Sequence, residues 1–104
     1  MICDTYRTAC SPPPPDQLIA ISRRVLEGSS AAAGVRYPDS AADKSGWIVF
    51  APDLEEDVSE FVGLHVSHLG ETHPQVARYL ALPVGWRFAL KAGSERAWFD
   101  PDAT

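Results

Sequence analysis

Short apolar runs separated by turn residues dominate the pattern along this chain. The clearest run, Trp-Ile-Val-Phe at residues 47–50, follows a small polar turn at 44–46 and is closed by Pro52. Ile, Val and Phe favour a pleated, buried surface over a helix, and a proline cannot donate to the ladder of a sheet. The pattern therefore predicts a central strand at residues 47–50.

Two other parts of the chain predict hairpins. Residues 18–26 fit one face of a helix and also the alternation of a strand, but turn residues at 27–30 and a second apolar run at 31–37 favour a hairpin. Nearer the C terminus, Trp86, Phe88 and Leu90 alternate with more polar residues, a turn follows at 92–95, and residues 96–99 return as a strand.

The stretch between these hairpins predicts a short strand at 61–66 and a helical turn at 67–71. Thr72-His73-Pro74 is typical of a helix start, because proline is favoured in the first turn, and Pro83 ends that helix. We therefore predict an α+β fold: a small, mostly antiparallel sheet of about five strands with one or two short helices.

The first residues have a different character. Residues 1–10 show no periodicity, and the four prolines at 12–15 favour polyproline II. We predict a flexible, proline-rich arm over residues 1–17 and a single domain over 18–104. Cys3 and Cys10 lie in this arm, where two cysteines do not make a disulfide framework, and we expect reduced thiols. The arm does not resemble a secretory signal, which favours the cytoplasm.

Charge narrows the classes of partner. Fourteen acidic and nine basic residues give a formal net charge of -5 and a pI near 5.0. Such a balance disfavours general affinity for phosphate backbones or anionic membranes and favours basic partners. We expect no nucleic acid and no membrane among the partners, and the composition does not predict an oligomeric state.

Reactive chemistry finds little support in the sequence. His65, His68 and His73 lie close together with Glu71, but their spacing matches no standard zinc signature. There is no phosphate-binding glycine loop, and no serine lies at a nucleophile elbow. We therefore expect no metal, no cofactor and no enzymatic activity.

An acidic run follows the predicted central strand. Its five carboxylates fall within eight positions: Asp53, Glu55, Glu56, Asp57 and Glu60. A charge run of this kind serves either as a solvated face or as a docking surface for a basic partner. Trp86, beside Gly85, has two interpretations as well, as a core residue or as a partly exposed interface anchor. These six side chains are the predicted partner-binding residues.

Several segments resemble a known bacterial family. They are Ile-Ser-Arg-Arg-Val-Leu-Glu-Gly at 21–28, Gly-Val-Arg-Tyr-Pro at 34–38, Lys-Ser-Gly-Trp at 44–47 and Leu-Ala-Leu-Pro-Val-Gly-Trp-Arg-Phe at 80–88. Over residues 18–99 the chain resembles the small immunity proteins of polymorphic toxin systems, whose hallmark is an Asp-Ser-Gly-Trp turn followed by Leu-x-x-Pro-x-Gly-x-x-Phe. Lys44 stands in place of the acid of that motif, although Asp43 adjoins it, and Ala-Pro-Asp at 51–53 replaces the family's usual small-Gly-Asp-Glu stretch.

The resemblance implies a cytoplasmic immunity protein that binds a cognate toxin without catalysis and occludes its active site. If the toxin is a nuclease, its substrate groove is basic, and the acidic run is suited to occupy it. The alternative is a small regulatory interaction module of similar fold with no toxin partner. The shared positions are turn glycines, prolines and apolar strand residues, so they carry the fold further than they carry a particular target.

Overall fold

The computed structural model describes residues 2–38, 43–52 and 58–104. Its strands are β1 (Leu18–Ser22), β2 (Ala31–Arg36), β3 (Lys44–Phe50), β4 (Phe61–His65), β5 (Trp86–Lys91) and β6 (Ser94–Phe99). Its α-helices are α1 (Ile2–Thr5), α2 (Arg23–Leu26), α3 (Val66–Thr72) and α4 (Pro74–Ala77), with 3-10 turns at Val58–Glu60, Arg78–Ala81 and Pro101–Ala103.

The strands form one sheet in the order β4-β1-β3-β2-β5-β6. The β1–β3 pair is parallel and the other four pairs are antiparallel. The predicted α+β class and mostly antiparallel sheet are therefore confirmed, with six strands where about five were expected. The predicted strand at 47–50 is the second half of β3, which lies inside the sheet, and β5–β6 forms the predicted C-terminal hairpin.

The predicted hairpin over residues 18–37 is wrong. The second half of its first strand is the helical turn α2, which Ser22 caps by accepting a hydrogen bond from the Arg24 amide at 3.1 Å. The strands β1 and β2 are not neighbours, because β3 lies between them and hydrogen-bonds to both. A serine that can satisfy a free helix amide favours the helical turn over continuation of the strand.

The core lies on one face of the sheet, where the helices pack. Alternate strand residues supply one side of it and the helical segment supplies the other, the largest buried side chains being Trp47, Tyr79, Phe88, Ile19, Ile21, Leu69, Leu80 and Leu82. The Phe88 ring lies over Gly34 on the adjacent strand so closely that a Cβ at Gly34 would overlap it. Gly34 therefore makes room for the Phe88 ring.

The described part of the N-terminal segment packs against this core. Ile2 and Cys3 are buried in the core cluster, and the Ser11 amide donates to the Ala81 carbonyl at 2.7 Å. These contacts favour a packed segment over a flexible arm, and the domain boundary at residue 17 stays a prediction.

The expectation of reduced thiols is wrong, because Cys3 and Cys10 form a disulfide. After α1 the chain reverses at Arg7, whose φ is 54°, and this turn brings the two Cα atoms to 5.5 Å. That separation is within the range that a disulfide requires.

Candidate functional site

Three residues of the sequence motifs, Arg36, Ser45 and Trp47, donate side-chain hydrogen bonds to backbone carbonyls in the interior. We call these three residues and the carbonyls that they bind the Arg36 seam. The Arg36 guanidinium donates to the carbonyls of Ser45 at 3.0 Å, Ser11 at 2.6 Å and Leu82 at 2.8 Å. The Trp47 indole donates to the Leu80 carbonyl at 3.0 Å.

The Arg36 seam therefore ties three parts of the molecule together: the N-terminal segment, the sheet and the turn before β5. Arg36 is only 7% exposed, and burial lowers the pKa of its guanidinium. Carbonyl oxygens around a buried cation replace the hydrogen bonds that water would otherwise supply. The side chain of Ser45 adds a donation to the Leu18 carbonyl at 2.9 Å, which fixes β3 beside β1.

Two glycines shape the turns at the ends of the Arg36 seam. Gly46 has a φ of +87°, and a Cβ there would overlap the Tyr37 carbonyl oxygen. Gly85 has a φ of +92°, and its amide donates to the Arg36 carbonyl at 2.8 Å. A left-handed φ beside a close backbone contact admits glycine and little else. The Ser-Gly-Trp and Pro-x-Gly segments are thus structural, and Trp47 is the core residue that the sequence predicted, at 1% exposure.

The acidic run lies mostly outside the described residues, which include neither Asp53 nor Glu55, Glu56 and Asp57. Glu60, its last member, is half-buried at the end of the 3-10 turn before β4. Its carboxylate accepts a hydrogen bond from the Arg24 side chain at 2.9 Å. Glu60 is therefore already paired within the chain.

Trp86 and Glu60 lie at opposite corners of the sheet. Glu60 precedes β4, where Phe61 pairs with the last residue of β1, whereas Trp86 begins β5 four strands away at the other end of the strands. Trp86 is half-buried, with ring centroids 6.0 Å from Tyr6 and 6.3 Å from Phe99 in edge contacts. Among the predicted binding residues, the two that the structure describes, Glu60 and Trp86, therefore do not lie together.

Other large side chains are more exposed than Trp86. Among the described residues, Phe99 is 49% exposed and Trp98 38% exposed, both on β6 at an edge of the sheet. Neither residue was among the predicted binding residues. The sequence pattern of β6 is that of any strand, and only the strand order shows that β6 has one neighbour among the described strands.

Comparison with known proteins identifies the family. The Imm33-like domain matches residues 1–100, which is nearly the whole chain and includes the proline-rich segment. The chain belongs to the Imm33-like family. This is an immunity-protein family, as the resemblance of the motif segments implied. No curated protein and no solved structure shows a significant match to the chain.

The histidines of this Imm33-like domain do not form a metal centre in the described part of the chain, where no three potential ligands come together. His65 and His68 are exposed, and His73 is hydrogen-bonded through Nδ1 to the Thr72 hydroxyl at 2.9 Å. None of the helices described has the length and apolar character that a membrane crossing requires.

His73 also lines an open cleft of about 460 Å³ between α4 and the β5–β6 turn. Glu95 lines the same cleft. Its carboxylate accepts a hydrogen bond from the Tyr79 hydroxyl at 2.8 Å and lies 3.8 Å from the Arg78 guanidinium. Burial, and then the hydrogen bond to Glu95, raise the pKa of Tyr79 well above its ordinary value. These partners hold the cleft's acid in fixed contacts, which are typical of a structural cluster.

Proposed function

We propose that this chain is a non-catalytic immunity protein of a bacterial polymorphic toxin system, which binds a cognate toxin and neutralises it by occluding its active site. The observation that carries the proposal is the Imm33-like match over residues 1–100. The fold supports it, because a six-stranded sheet cross-linked through the Arg36 seam offers a rigid, preorganised surface. Preorganisation reduces the ordering cost of binding.

The toxin-binding surface in this proposal is the acidic run with Glu60 at its end. The sequence places four of its five carboxylates in residues 53–57, and the chain as a whole carries a net charge of -5. A basic substrate groove, such as that of a nuclease toxin, is complementary to this charge, which would steer the two proteins together. Trp86 contributes less to this surface, because it lies at the opposite corner of the sheet.

If a large modular gene adjoins the gene for this chain, its product is the partner with which the proposal is tested. Its binding to the purified chain is followed by association kinetics at several salt concentrations. The triple variant Glu55→Lys, Glu56→Lys, Asp57→Lys is expected to associate about 10-fold or more slowly and with a flatter salt dependence.

A matched control makes the same change in net charge elsewhere. Asp16, Glu71 and Asp102 are exposed acids outside the acidic run, and their reversal to lysine is expected to slow association far less. Equal slowing by both triple variants would show that only net charge matters. Unchanged association in the first variant would remove the acidic run from the interface, and absence of binding by the natural chain would refute the immunity function for this pair.

The proposed location is the cytoplasm. The Cys3–Cys10 disulfide weighs against this location, because disulfides persist mainly in oxidising compartments and the cytoplasm is reducing. Cell fractionation combined with alkylation of free thiols tests the location and the redox state together.

A further inference from the structure

One edge of the sheet, strand β6, has backbone groups that pair with no other strand of the described residues. The register of β5 with β6 places Gly85 opposite Asp100, and the Asp100 amide donates to the Gly85 carbonyl at 2.7 Å. Residues of an antiparallel strand bond alternately to the two sides. The even-numbered residues of β6 therefore face β5, and the N–H and C=O groups of Glu95, Ala97 and Phe99 point away from the sheet.

This edge lacks most of the features that usually prevent strand pairing. β6 contains no proline, and its register with β5 runs without a bulge over six residue pairs. Its acid, Glu95, is held by Tyr79 and Arg78. Edge strands are normally protected by prolines, bulges or free charges, and an unprotected edge is a template for another strand.

Three side chains along this edge are exposed aromatic rings or an arginine stacked on one of them. Trp98 is 38% exposed and Phe99 49% exposed, and the Arg96 guanidinium lies 4.9 Å over the Trp98 ring. Exposed aromatic residues and arginine are the residue types enriched at the energetic centres of interfaces. Edge and side chains together indicate an interface that continues the sheet.

Of the registers centred on Arg96, Ala97 and Trp98, one suits a second copy of the chain. Two-fold pairing centred on Arg96 would place two arginines opposite each other, and like charges at that position are unfavourable. Centring on Trp98 would place Glu95 opposite Pro101, which has no N–H to donate. Centring on Ala97 places Ala97 opposite itself, with its outward N–H and C=O bonded in both directions.

The Ala97 register also joins complementary side chains. Arg96 of one copy then lies directly opposite Trp98 of the other, on the same face of the extended sheet. The Arg96 guanidinium then lies between two indole rings, one from each copy, and gains a second cation–π contact. The two-fold axis repeats this contact, so the same patch of each copy complements itself.

We propose that two copies of this chain form a symmetric dimer by antiparallel pairing of β6, centred on Ala97. The dimer is a single twelve-stranded sheet, and Glu60 of each copy, which precedes β4 at the opposite edge, lies away from the contact. The proposed dimer does not depend on the toxin-binding proposal. The contact is a single strand pair, which buries less than a standard interface, so the dimer is a weak one that dissociates on dilution.

Sedimentation velocity of the full chain over concentrations up to about 500 µM tests the dimer, since a small interface requires high concentration. The decisive variant is Ala97→Pro, which removes the outward N–H without touching the hydrogen bonds to β5. Its dimer dissociation constant is expected to rise about 10-fold or more, because both central hydrogen bonds are lost. Arg96→Glu, at an exposed position, is expected to weaken the dimer several-fold through the lost cation–π contacts.

The control variant is Gly63→Lys on β4, the other edge of the described sheet. A Cβ at Gly63 meets nothing closer than the Leu18 side chain at 3.8 Å, so the change is tolerated, and it is expected to leave the dimer intact. Thermal melting confirms that each variant folds, and Arg96→Glu decides the matter if Ala97→Pro does not fold.

Four results would overturn the proposal. The first is a chain that stays monomeric throughout the concentration range. This result counts against the dimer even if β6 is found to pair with a peptide from another protein. The second is a dimer that survives both β6 variants. The third is a dimer lost in Gly63→Lys and kept in Ala97→Pro, which would assign the contact to β4. The fourth is exchange protection of the Glu95, Ala97 and Phe99 amides in deuterated water that does not increase with protein concentration.

Discussion

Two arginine–tryptophan pairs of this protein have similar geometry and opposite surroundings. The Arg36 guanidinium carbon lies 5.9 Å from the Trp47 ring centroid, and that of Arg96 lies 4.9 Å from the Trp98 ring centroid. The first pair is buried in the Arg36 seam, where carbonyl oxygens surround the guanidinium. The second pair is exposed on an edge strand.

The difference leads us to expect that the buried polar contacts of this domain tolerate less substitution than its exposed surfaces. Several residues that carry the family resemblance lie in the Arg36 seam and its two glycine turns, where they hold the helical layer and the N-terminal segment on the sheet. Their hydrogen bonds are buried, so replacing them leaves orphaned polar groups. The β6 edge lies outside the Arg36 seam, and we expect it to tolerate substitution more readily.

The largest effect is expected from removing the buried arginine. Arg36→Met keeps most of the side-chain volume but leaves the carbonyls of Ser11, Ser45 and Leu82 without this donor. We expect the free energy of unfolding to fall by about 3–5 kcal/mol, measured by urea denaturation.

The matched control for this variant is Arg96→Met at the exposed pair. It is expected to change the free energy of unfolding by no more than about 0.5 kcal/mol, as surface substitutions usually do. Similar losses for the two variants would show that the buried and exposed pairs contribute alike, and the distinction drawn between them would be wrong.

A smaller loss of stability is expected from a substitution at Gly46, near the start of β3. Gly46→Ala forces a left-handed φ on alanine and drives its Cβ into the Tyr37 carbonyl, so we expect a loss of about 2–4 kcal/mol in thermal or urea unfolding. Gly93→Ala in the β5–β6 turn has a φ of +78° but no atom within 4 Å of the added Cβ. Its loss is expected to be about 1 kcal/mol, from the backbone conformation alone. Equal losses would mean that the contact with Tyr37 relaxes freely.

The smallest effect is expected at the ion pair that flanks the acidic run. The Arg24 and Glu60 side chains are 46% and 28% exposed, so solvent screens their 2.9 Å contact. A double-mutant cycle with Arg24→Gln and Glu60→Gln is expected to give a coupling of about 0.2–0.5 kcal/mol in urea denaturation. A coupling several times larger would show that the Arg24–Glu60 pair contributes substantially to stability, so that this end of the sheet would no longer differ from the Arg36 seam.

The candidate binding residues were predictable only as a charge pattern. The five acids of residues 53–60 are evident in the sequence, but the pairing of Glu60 with Arg24 joins residues 36 positions apart. The exposure of Trp98 and Phe99 depends on β6 being at an edge, and local alternation is the same in edge and inner strands. The choice between core and interface for Trp86 likewise required its contacts with Tyr6 and Phe99.

Local chemistry by itself determined several of the strands and turns of this chain. The β-branched and aromatic run before Pro52, the turn at Ala92–Gly93 and the proline at the start of α4 act through neighbouring residues, and all three are as predicted. Tertiary structure decided the rest. The place of β3 between β1 and β2, the carbonyl partners of Arg36 and the Cys3–Cys10 bond join distant segments. Such contacts are selected by the burial of polar groups in the assembled core, which no short stretch of sequence specifies.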